Sequence, residues 1–372
     1  SRAVSDVPVG AFLSGGVDSS IISLCHSLNQ TNKIDTFSLG FKNKSFDESK
    51  KFKTVAKLIK SNHHEIFVDI NNSEINLDKI LLNYDEPFAD SSAIPTYLIS
   101  KYTSNSVKVV LSGDGGDEVF GVYNKYLMGN INTAYTKFVP KNFHKIINAI
   151  LNKILIQSKD NRGLKYKLKR VINSIDYDGN FYKKIISLGF SNIELSSFLK
   201  EDLILPSLMF NMYQNKEEKI SDFRDLDKII SLEGDMLVKV DRATMLNSLE
   251  CRAPFLNYDL WNFTSNLPDK YLLNFWNKKY LLKESFKNFF PKNFLDKPKQ
   301  GFAIPIGDWL RTNFKLELLS YIENDFLIKQ NIFNVLPVQK LVLDHVESKT
   351  DNTFKVWTFF CFQKWYIKSF IS

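Results

Sequence analysis

The residues best suited to chemistry lie in two glycine-rich turns that also carry carboxylates. The first turn, LSGGVDSS, covers residues 13–20. Its glycines let the backbone approach an anion closely, and a helix that begins there adds free N–H groups and a partial positive charge. Loops that hold mononucleotides usually carry a lysine for the outer phosphates, whereas the charged residue here is Asp18.

These residues predict a phosphate site in which a metal ion supplies the positive charge that the missing lysine would otherwise provide. Backbone N–H groups and the hydroxyls of Ser14, Ser19 and Ser20 would hold the phosphate. Asp18 would bind Mg²⁺, an ion that takes a few carboxylates together with phosphate oxygens. The structural alternative is a tight strand–helix turn that Asp18 or Ser19 merely caps.

The second turn, LSGDGGDEVFGVY, covers residues 111–123 and places Asp114, Asp117 and Glu118 among glycines. Asp18 and Asp117 are expected to meet across one Mg²⁺–pyrophosphate, since two carboxylates from separate loops suit that ion. Taken alone, the second turn is equally consistent with an acidic loop in water.

Short apolar runs predict four buried strands, and helical patterns follow the first two of them. The strands are predicted at residues 7–13, 33–41, 65–70 and 107–113. The second helix is predicted to open on a capping box of Ser45 and Glu48. Its shared apolar face is formed by Phe52, Val55, Ala56 and Ile59.

Alternating strands and helices predict the α/β fold class, with a parallel sheet, right-handed crossovers and flanking helices. Ligands of such sheets bind beyond the carboxyl ends of the strands, where both glycine-rich turns fall. The rest of the chain is predicted to be mainly helical. We expect one domain over residues 1–372, with a nucleotide-binding α/β half at 1–128, a lysine-rich helical region at 129–222 and a helical half at 223–372 that completes the site.

The composition is that of a soluble globular protein, with 44% hydrophobic and 24% charged residues in 372. No apolar run is long enough to cross a bilayer, and the first residues do not resemble a signal peptide. Three scattered cysteines, Cys25, Cys251 and Cys361, predict reduced thiols in a cytoplasm rather than a disulfide framework or a zinc cluster. The chain begins at Ser1 without methionine, so we expect it to be part of a longer product.

The net charge of +8 is concentrated in one segment. Residues 131–170 contain ten basic residues and one acidic residue, so the remainder of the chain is nearly neutral. Such a segment could follow a nucleic-acid backbone, and RNA binding through Lys165, Lys167, Lys169 and Arg170 is one hypothesis. A solvated helical face is the simpler interpretation, and we expect neither a nucleic acid nor a membrane as a partner.

Longer strings within the chain resemble a known family. SGGVDSS resembles the signature of the PP-loop ATP pyrophosphatases, and SGDGGDEVFGVY resembles the corresponding motif of the class B, glutamine-dependent asparagine synthetases. Three further stretches resemble that family in the same order. They are EPFADSSAIPTYLISK at residues 86–101, VDRATMLNSLECRAPFL at 240–256 and KQGFAIPIGDWL at 299–310.

The resemblance implies an ATP-dependent carbon–nitrogen ligase that forms asparagine. ATP would adenylate the side-chain carboxylate of aspartate with release of pyrophosphate, and ammonia would then displace AMP. Positioning and charge neutralisation would carry most of the catalysis. An alternative is the same chemistry on another acceptor carboxylate, such as a sugar uronic acid in polysaccharide amidation or a β-lactam-synthetase-like cyclisation.

By motif match, the resemblance also assigns residues to roles. The ATP-binding residues would be Leu13, Ser14, Gly15, Gly16, Asp18, Ser19, Leu39, Ser112 and Gly113. The catalytic residues would be Asp114, near the acyl-adenylate, and Lys299, which would neutralise developing charge. The residues that shape the acceptor side would be Asp241, Arg242, Glu250 and Arg252, although surface ion pairs explain these charges equally well.

The family's N-terminal glutaminase domain has no counterpart in this chain. We therefore expect one of three sources of ammonia: a glutaminase domain that has been removed from this chain, a partner protein, or free ammonia. A homodimer is also expected from the resemblance.

Overall fold

The computed structural model describes residues 2–41, 49–68, 75–121, 123–154, 168, 171–179, 181–186, 190, 192–203, 220–274, 277–296 and 304–371. Several residues singled out above lie outside the described residues. They are Ser45, Glu48, Lys165, Lys167, Lys169, Arg170 and Lys299. The chain forms two compact units: Ser1–Asp85, Asp90–Tyr123 and Arg224–Ile304 make the first, and Glu86–Ala89, Asn124–Phe223 and Pro305–Ser372 make the second.

The first unit is built on a five-stranded parallel sheet of order β3-β2-β1-β4-β5. Its strands are β1 Val9–Phe12, β2 Asp35–Phe41, β3 Asn62–Val68, β4 Val109–Leu111 and β5 Glu250–Arg252. The order places β1 in the centre, paired with β2 on one side and with β4 on the other. The predicted α/β fold class is confirmed, because the strands are parallel and helices connect and flank them.

The fifth strand was not predicted. β5 has only three residues. Its middle residue, Cys251, lies between the charged residues Glu250 and Arg252, so the sequence shows no apolar run there. It forms because Val109, Val110 and Leu111 of β4 offer it a parallel edge, in register with Glu250, Cys251 and Arg252.

The helices of the first unit surround this sheet. They are α1 Val17–Leu28, α2 Ser49–Leu58, α3 Leu77–Leu81, α4 Ala93–Thr103, α5 Gly116–Phe120, Val238–Met245, Tyr258–Ser265, Asp269–Leu272 and Tyr280–Phe286. The helix Ile220–Asp227 belongs to this unit from Arg224 onward. A π-helix, Lys228–Leu237, precedes Val238–Met245, and the short strands Leu273–Asn274 and Asn277–Lys278 pair antiparallel. Apolar faces of α1 and α2 and the helix Tyr280–Phe286 enclose one core around Ala11 and Leu111 of the sheet.

The second unit is helical. Its helices are α6 Asn124–Phe138, α7 Lys141–Ile154, Phe181–Ile186, Asn192–Phe198, Ile306–Arg311, Lys315–Ser320, Asn324–Gln330, Val335–Val346 and Thr353–Phe370. Trp357 and Phe360 of the last helix are among its most completely buried side chains. Among the described residues, no helix is both long and apolar enough to cross a membrane, and all three cysteines are free thiols.

Candidate nucleotide site

The two glycine-rich turns lie side by side at the carboxyl ends of β1 and β4. Their backbones are so close that a Cβ added to Gly113 would lie 2.8 Å from both the Asp18 Cβ and the Ser19 nitrogen. A Cβ added to Gly116 would lie 2.6 Å from Asp18 Oδ1. Glycine in the second turn is therefore required by the approach of the first turn, and this packing places Asp18 beside Asp117.

The first turn is held open by its own serines. Gly15 has a left-handed backbone, with φ of +77°, a conformation that glycine adopts without steric cost. The hydroxyls of Ser14 and Ser19 lie 2.9 Å apart, and the Ser14 N–H donates to Ser19 Oγ. Ser38, in the middle of β2, donates its hydroxyl to the Leu13 carbonyl. The turn is thereby fixed as α1 begins.

The N-terminus of α1 supplies donors at this point. The Ser20 N–H donates to the Gly16 carbonyl as the first bond of the helix, so the N–H groups before it project from the helix end rather than bonding within it. Together with the helix dipole they form an environment suited to an anion. This is the donor arrangement expected for a phosphate held without a local lysine.

A lysine nevertheless reaches the site, from far along the chain. The ammonium of Lys279 forms ion pairs with Asp18 and with Asp117, the latter at 2.7 Å. Burial alone would lower the pKa of Lys279, but the carboxylates of Asp18 and Asp117 outweigh it and raise that pKa above its ordinary value. Lys279 is therefore a buried cation between the two carboxylates predicted to share a metal.

Local structure explains how Lys279 arrives there. It follows the short strand Asn277–Lys278, precedes the helix Tyr280–Phe286, and has a φ of +53°. A left-handed backbone is uncommon for a residue with a side chain, and such strained positions concentrate at functional sites. Nothing in the string NKKYLLKESF marks this lysine among its neighbours, so the sequence does not predict its role.

A cavity of about 350 Å³ opens in front of the two turns. Of the predicted ATP-binding residues, those that line it are Leu13, Ser14, Gly16, Asp18, Ser19, Leu39, Ser112 and Gly113. Asp114 and Asp117 line it as well, and Gly15 lies in the same turn, against α2. A volume of a few hundred Å³ is typical of small-molecule sites.

Lys239 supplies positive charge to the lining of this cavity, and it was not predicted as a site residue. It is the only lysine or arginine among the described residues that line the cavity. Its ammonium lies 3.0 Å from Asp90 Oδ2. Burial alone would lower the pKa of Lys239, but Asp90 and Asp114 outweigh it and raise that pKa.

A second cavity of about 340 Å³ lies against the first and shares Ser112, Asp114 and Val240 with it. Three of the predicted acceptor-side residues, Asp241, Glu250 and Arg252, line this second cavity.

The contacts of the acceptor-side arginines are structural in character. Arg252 donates to Glu250 at 2.7 Å and to the carbonyls of Arg2 and Val4, so it fastens the segment that leads into β1. Arg242 is partly exposed and forms an ion pair with the exposed carboxylate of Asp85. The structure thus brings Arg252 to the edge of the second cavity and directs Arg242 to the surface.

Glu118 is buried and pairs with the partly buried Tyr123. The Tyr123 hydroxyl donates to Glu118 Oε1 at 2.6 Å. Burial raises the pKa of Glu118 to about 7. Arg224 donates to the carbonyls of Glu118 and Val119 and to that of Thr264, so it ties α5 to the helix Tyr258–Ser265.

The two carboxylates at this site fit Mg²⁺ in number and kind. This ion is usually bound by one or two carboxylates plus phosphate oxygens and water. Asp18 and Asp117 converge on one ammonium, so their oxygens also reach a common point. No group of three or more histidine, cysteine or acidic side chains suited to a metal occurs among the described residues.

A parallel sheet with an anion-binding turn at its centre and converging carboxylates defines a nucleotide-binding α/β protein. Comparison with known proteins makes this class specific. The family model described as Asparagine synthase matches residues 1–367. The chain belongs to this family, which uses ATP.

Relatives from several organisms agree with the family assignment. The chain is 31% identical to Asparagine synthetase [glutamine-hydrolyzing] 1 of Bacillus subtilis over 97% of this chain and 56% of the relative. It is 28% identical to a putative asparagine synthetase [glutamine-hydrolyzing] of Mycobacterium bovis over 97% of this chain and 55% of that protein. A Methanocaldococcus jannaschii protein of the same putative type is 36% identical over 66% of this chain and 46% of its own length. The chain thus spans about half the length of the curated relatives it matches.

Proposed function

We propose that the chain catalyses ATP-dependent amidation of a carboxylate through an acyl-adenylate, with L-aspartate as the acceptor and L-asparagine as the product. The observation that carries this proposal is the meeting of both glycine-rich turns at Asp18, Asp117 and Lys279. This arrangement suits a triphosphate whose terminal pyrophosphate must leave. The names of the relatives support the choice of acceptor.

In the first step the acceptor carboxylate attacks the α-phosphorus, and the bond from that phosphorus to the bridging oxygen breaks. The first turn and the N-terminus of α1 would hold the phosphates, and Leu39 would pack on the adenosine. Mg²⁺ on Asp18 and Asp117 would supply charge neutralisation to the departing pyrophosphate. Lys279 would also lie near the oxygens of the departing pyrophosphate, because it contacts both of the carboxylates that would hold the Mg²⁺.

In the second step ammonia attacks the carbonyl carbon of the acyl-adenylate and AMP leaves with the electron pair of the broken C–O bond. Asp114 lines both cavities, and we assign it the proton that the attacking nitrogen loses. Lys239 would hold the acceptor, because it is the only lysine or arginine among the described residues that line the first cavity. Lys299 keeps its predicted role as a cation for developing phosphate charge.

The ammonia would come from glutamine, through a glutaminase domain or partner. The second cavity would be its route of entry, since it meets the first cavity at Ser112 and Asp114. Assembly as a homodimer remains a prediction from the resemblance.

The test is pyrophosphate and AMP release with Mg²⁺ATP, ammonium and a panel of carboxylates. Aspartate is expected to give equimolar AMP, pyrophosphate and asparagine. Release with a uronic acid or another carboxylate, but not with aspartate, would transfer the proposal to the alternative acceptor class. Release that is unchanged in Asp18→Asn would refute the metal site itself.

A further inference from the structure

Helix α7, Lys141–Ile154 in the second unit, presents an apolar face to solvent. Phe143, Ile146 and Ile150 are 59%, 57% and 52% exposed. Their spacing places them on one face of a helix. Phe138, which ends the preceding helix, is 86% exposed. Large apolar side chains grouped in this way, rather than scattered singly, mark an interaction surface.

The face of α7 that packs inward carries His144, and Ile147 and Leu151 are partly buried on the same face. His144 is buried, and its Nδ1 lies 3.2 Å from the Tyr135 hydroxyl. Its ring also contacts that of Tyr177, while Lys141 forms a 2.7 Å ion pair with Asp178. The helix is therefore anchored to its unit through the face that carries His144, and the more exposed stripe of Phe143, Ile146 and Ile150 lies outside that contact.

The sequence that forms this face is basic, although Asp178 from another segment pairs with Lys141. Residues 131–154 contain four lysines, Lys137, Lys141, Lys145 and Lys153, and no acidic residue. Lys137, Lys141 and Lys145 are exposed. The surface of α7 thus combines an outward apolar stripe with a basic surround.

We propose that α7 is an interfacial helix that binds an anionic lipid surface, with its apolar stripe in the headgroup region and its lysines on the lipid phosphates. An exposed apolar stripe flanked by lysines is the composition of helices that lie in the membrane interface. A second copy of the chain would bring two surfaces of like charge together. RNA would meet the lysines but would leave Phe143, Ile146 and Ile150 in water.

The experiment is flotation of the full chain with phosphatidylcholine vesicles that contain one third phosphatidylglycerol, in low salt. Wild type is expected to float with these vesicles and to remain in solution with pure phosphatidylcholine. The triple variant Phe143→Ser, Ile146→Ser, Ile150→Ser is expected to bind at least tenfold more weakly. Lys137→Gln and Lys145→Gln should each weaken binding about fivefold.

The matched control removes three exposed apolar side chains elsewhere in the same unit: Leu316→Ser, Ile328→Ser and Leu336→Ser. This variant is expected to bind vesicles as wild type does. Thermal unfolding and pyrophosphate release should be unchanged in both triple variants, since all six side chains are exposed.

Three results would overturn the proposal. Wild type could fail to float with anionic vesicles. The control triple variant could lose binding to the same degree as the α7 variant. Alternatively, the α7 variant could change a dimer into a monomer in sedimentation, or could abolish binding of a single-stranded RNA, while vesicle binding stayed the same.

Discussion

The residue that most changes the picture of the site is Lys279, since it is a buried cation between two carboxylates. Removal of one partner from a buried ion pair is costly, because the remaining charges lose their compensation. Here the loss would leave Asp18 and Asp117 facing each other. The same change would remove a positive group beside the departing pyrophosphate.

We therefore predict that Lys279→Met lowers the free energy of unfolding by about 3–5 kcal/mol and lowers pyrophosphate release at least a hundredfold. Urea denaturation and a pyrophosphate assay measure the two effects. Lys287→Met, an exposed lysine just beyond the same helix that pairs with Glu284, serves as the control. Normal release by a folded Lys279→Met protein would remove Lys279 from the mechanism.

Lys239 leads to a prediction about the acceptor. A hydrogen bond to a charged group contributes about 1.5–3 kcal/mol, so Lys239→Met is expected to raise the KM for the carboxylate tenfold or more. The KM for ATP should change little, because we assign the phosphates to the first turn and the N-terminus of α1 rather than to Lys239. Arg242→Met, three residues further along the same helix, is the control, since its guanidinium pairs with Asp85 at the surface. Equal effects of the two variants on both KM values would contradict the assignment.

At the scale of elements, the close approach of the two turns is the feature that places the carboxylates. Gly113 has no room for a side chain, whereas a Cβ on Gly234, in the π-helix, would meet its nearest atom at 3.6 Å, an ordinary contact. The two glycines therefore form a matched pair for substitution.

We predict that Gly113→Ala destabilises the protein by about 1–3 kcal/mol, as overpacking does, and suppresses pyrophosphate release by displacing Asp18. Gly234→Ala should leave both properties close to wild type. Thermal unfolding and the pyrophosphate assay provide the measurements. A Gly113→Ala protein with wild-type stability would show that the turns can separate at no cost.

Elements near the front of the chain were the most predictable. The alternating strands and helices and the two glycine-rich turns gave the parallel sheet, because local apolar runs and glycine positions carry that information. β5 and Lys279 were not predictable for the opposite reason. A three-residue strand and a single lysine acquire their roles only from partners more than a hundred residues away, which no local pattern records.

At the scale of the whole molecule, pH should act on the second unit through His345. This side chain is completely buried, its Nε2 lies 3.2 Å from the Gly307 carbonyl oxygen, and its Nδ1 accepts from the Asn352 N–H. Burial, with Arg311 adding to it, lowers the pKa of His345 to about 4. In the unfolded chain the pKa returns to about 6.5.

As the pH falls, the unfolded state therefore binds a proton at His345 at a higher pH than the folded state does. The contribution of His345 to the free energy of unfolding is fully present above pH 6.5 and declines as the pH falls from 6.5 to 4. The loss is expected to reach at most about 3 kcal/mol. Urea midpoints across this range measure it. His345→Gln is expected to be less stable at neutral pH and to show a shallower decline. A decline of the same size in His345→Gln would assign the pH dependence to other groups.

The return of the chain to complete the first unit has a consequence for its synthesis. A ribosome that has produced residues 1–123 has made four strands and both acidic turns, but not the fifth strand or the ammonium that separates Asp18 from Asp117. The nascent pocket stays electrostatically incomplete until residue 279 has left the exit tunnel. Truncated products that stop earlier are accordingly expected to be targets for proteases rather than smaller working enzymes.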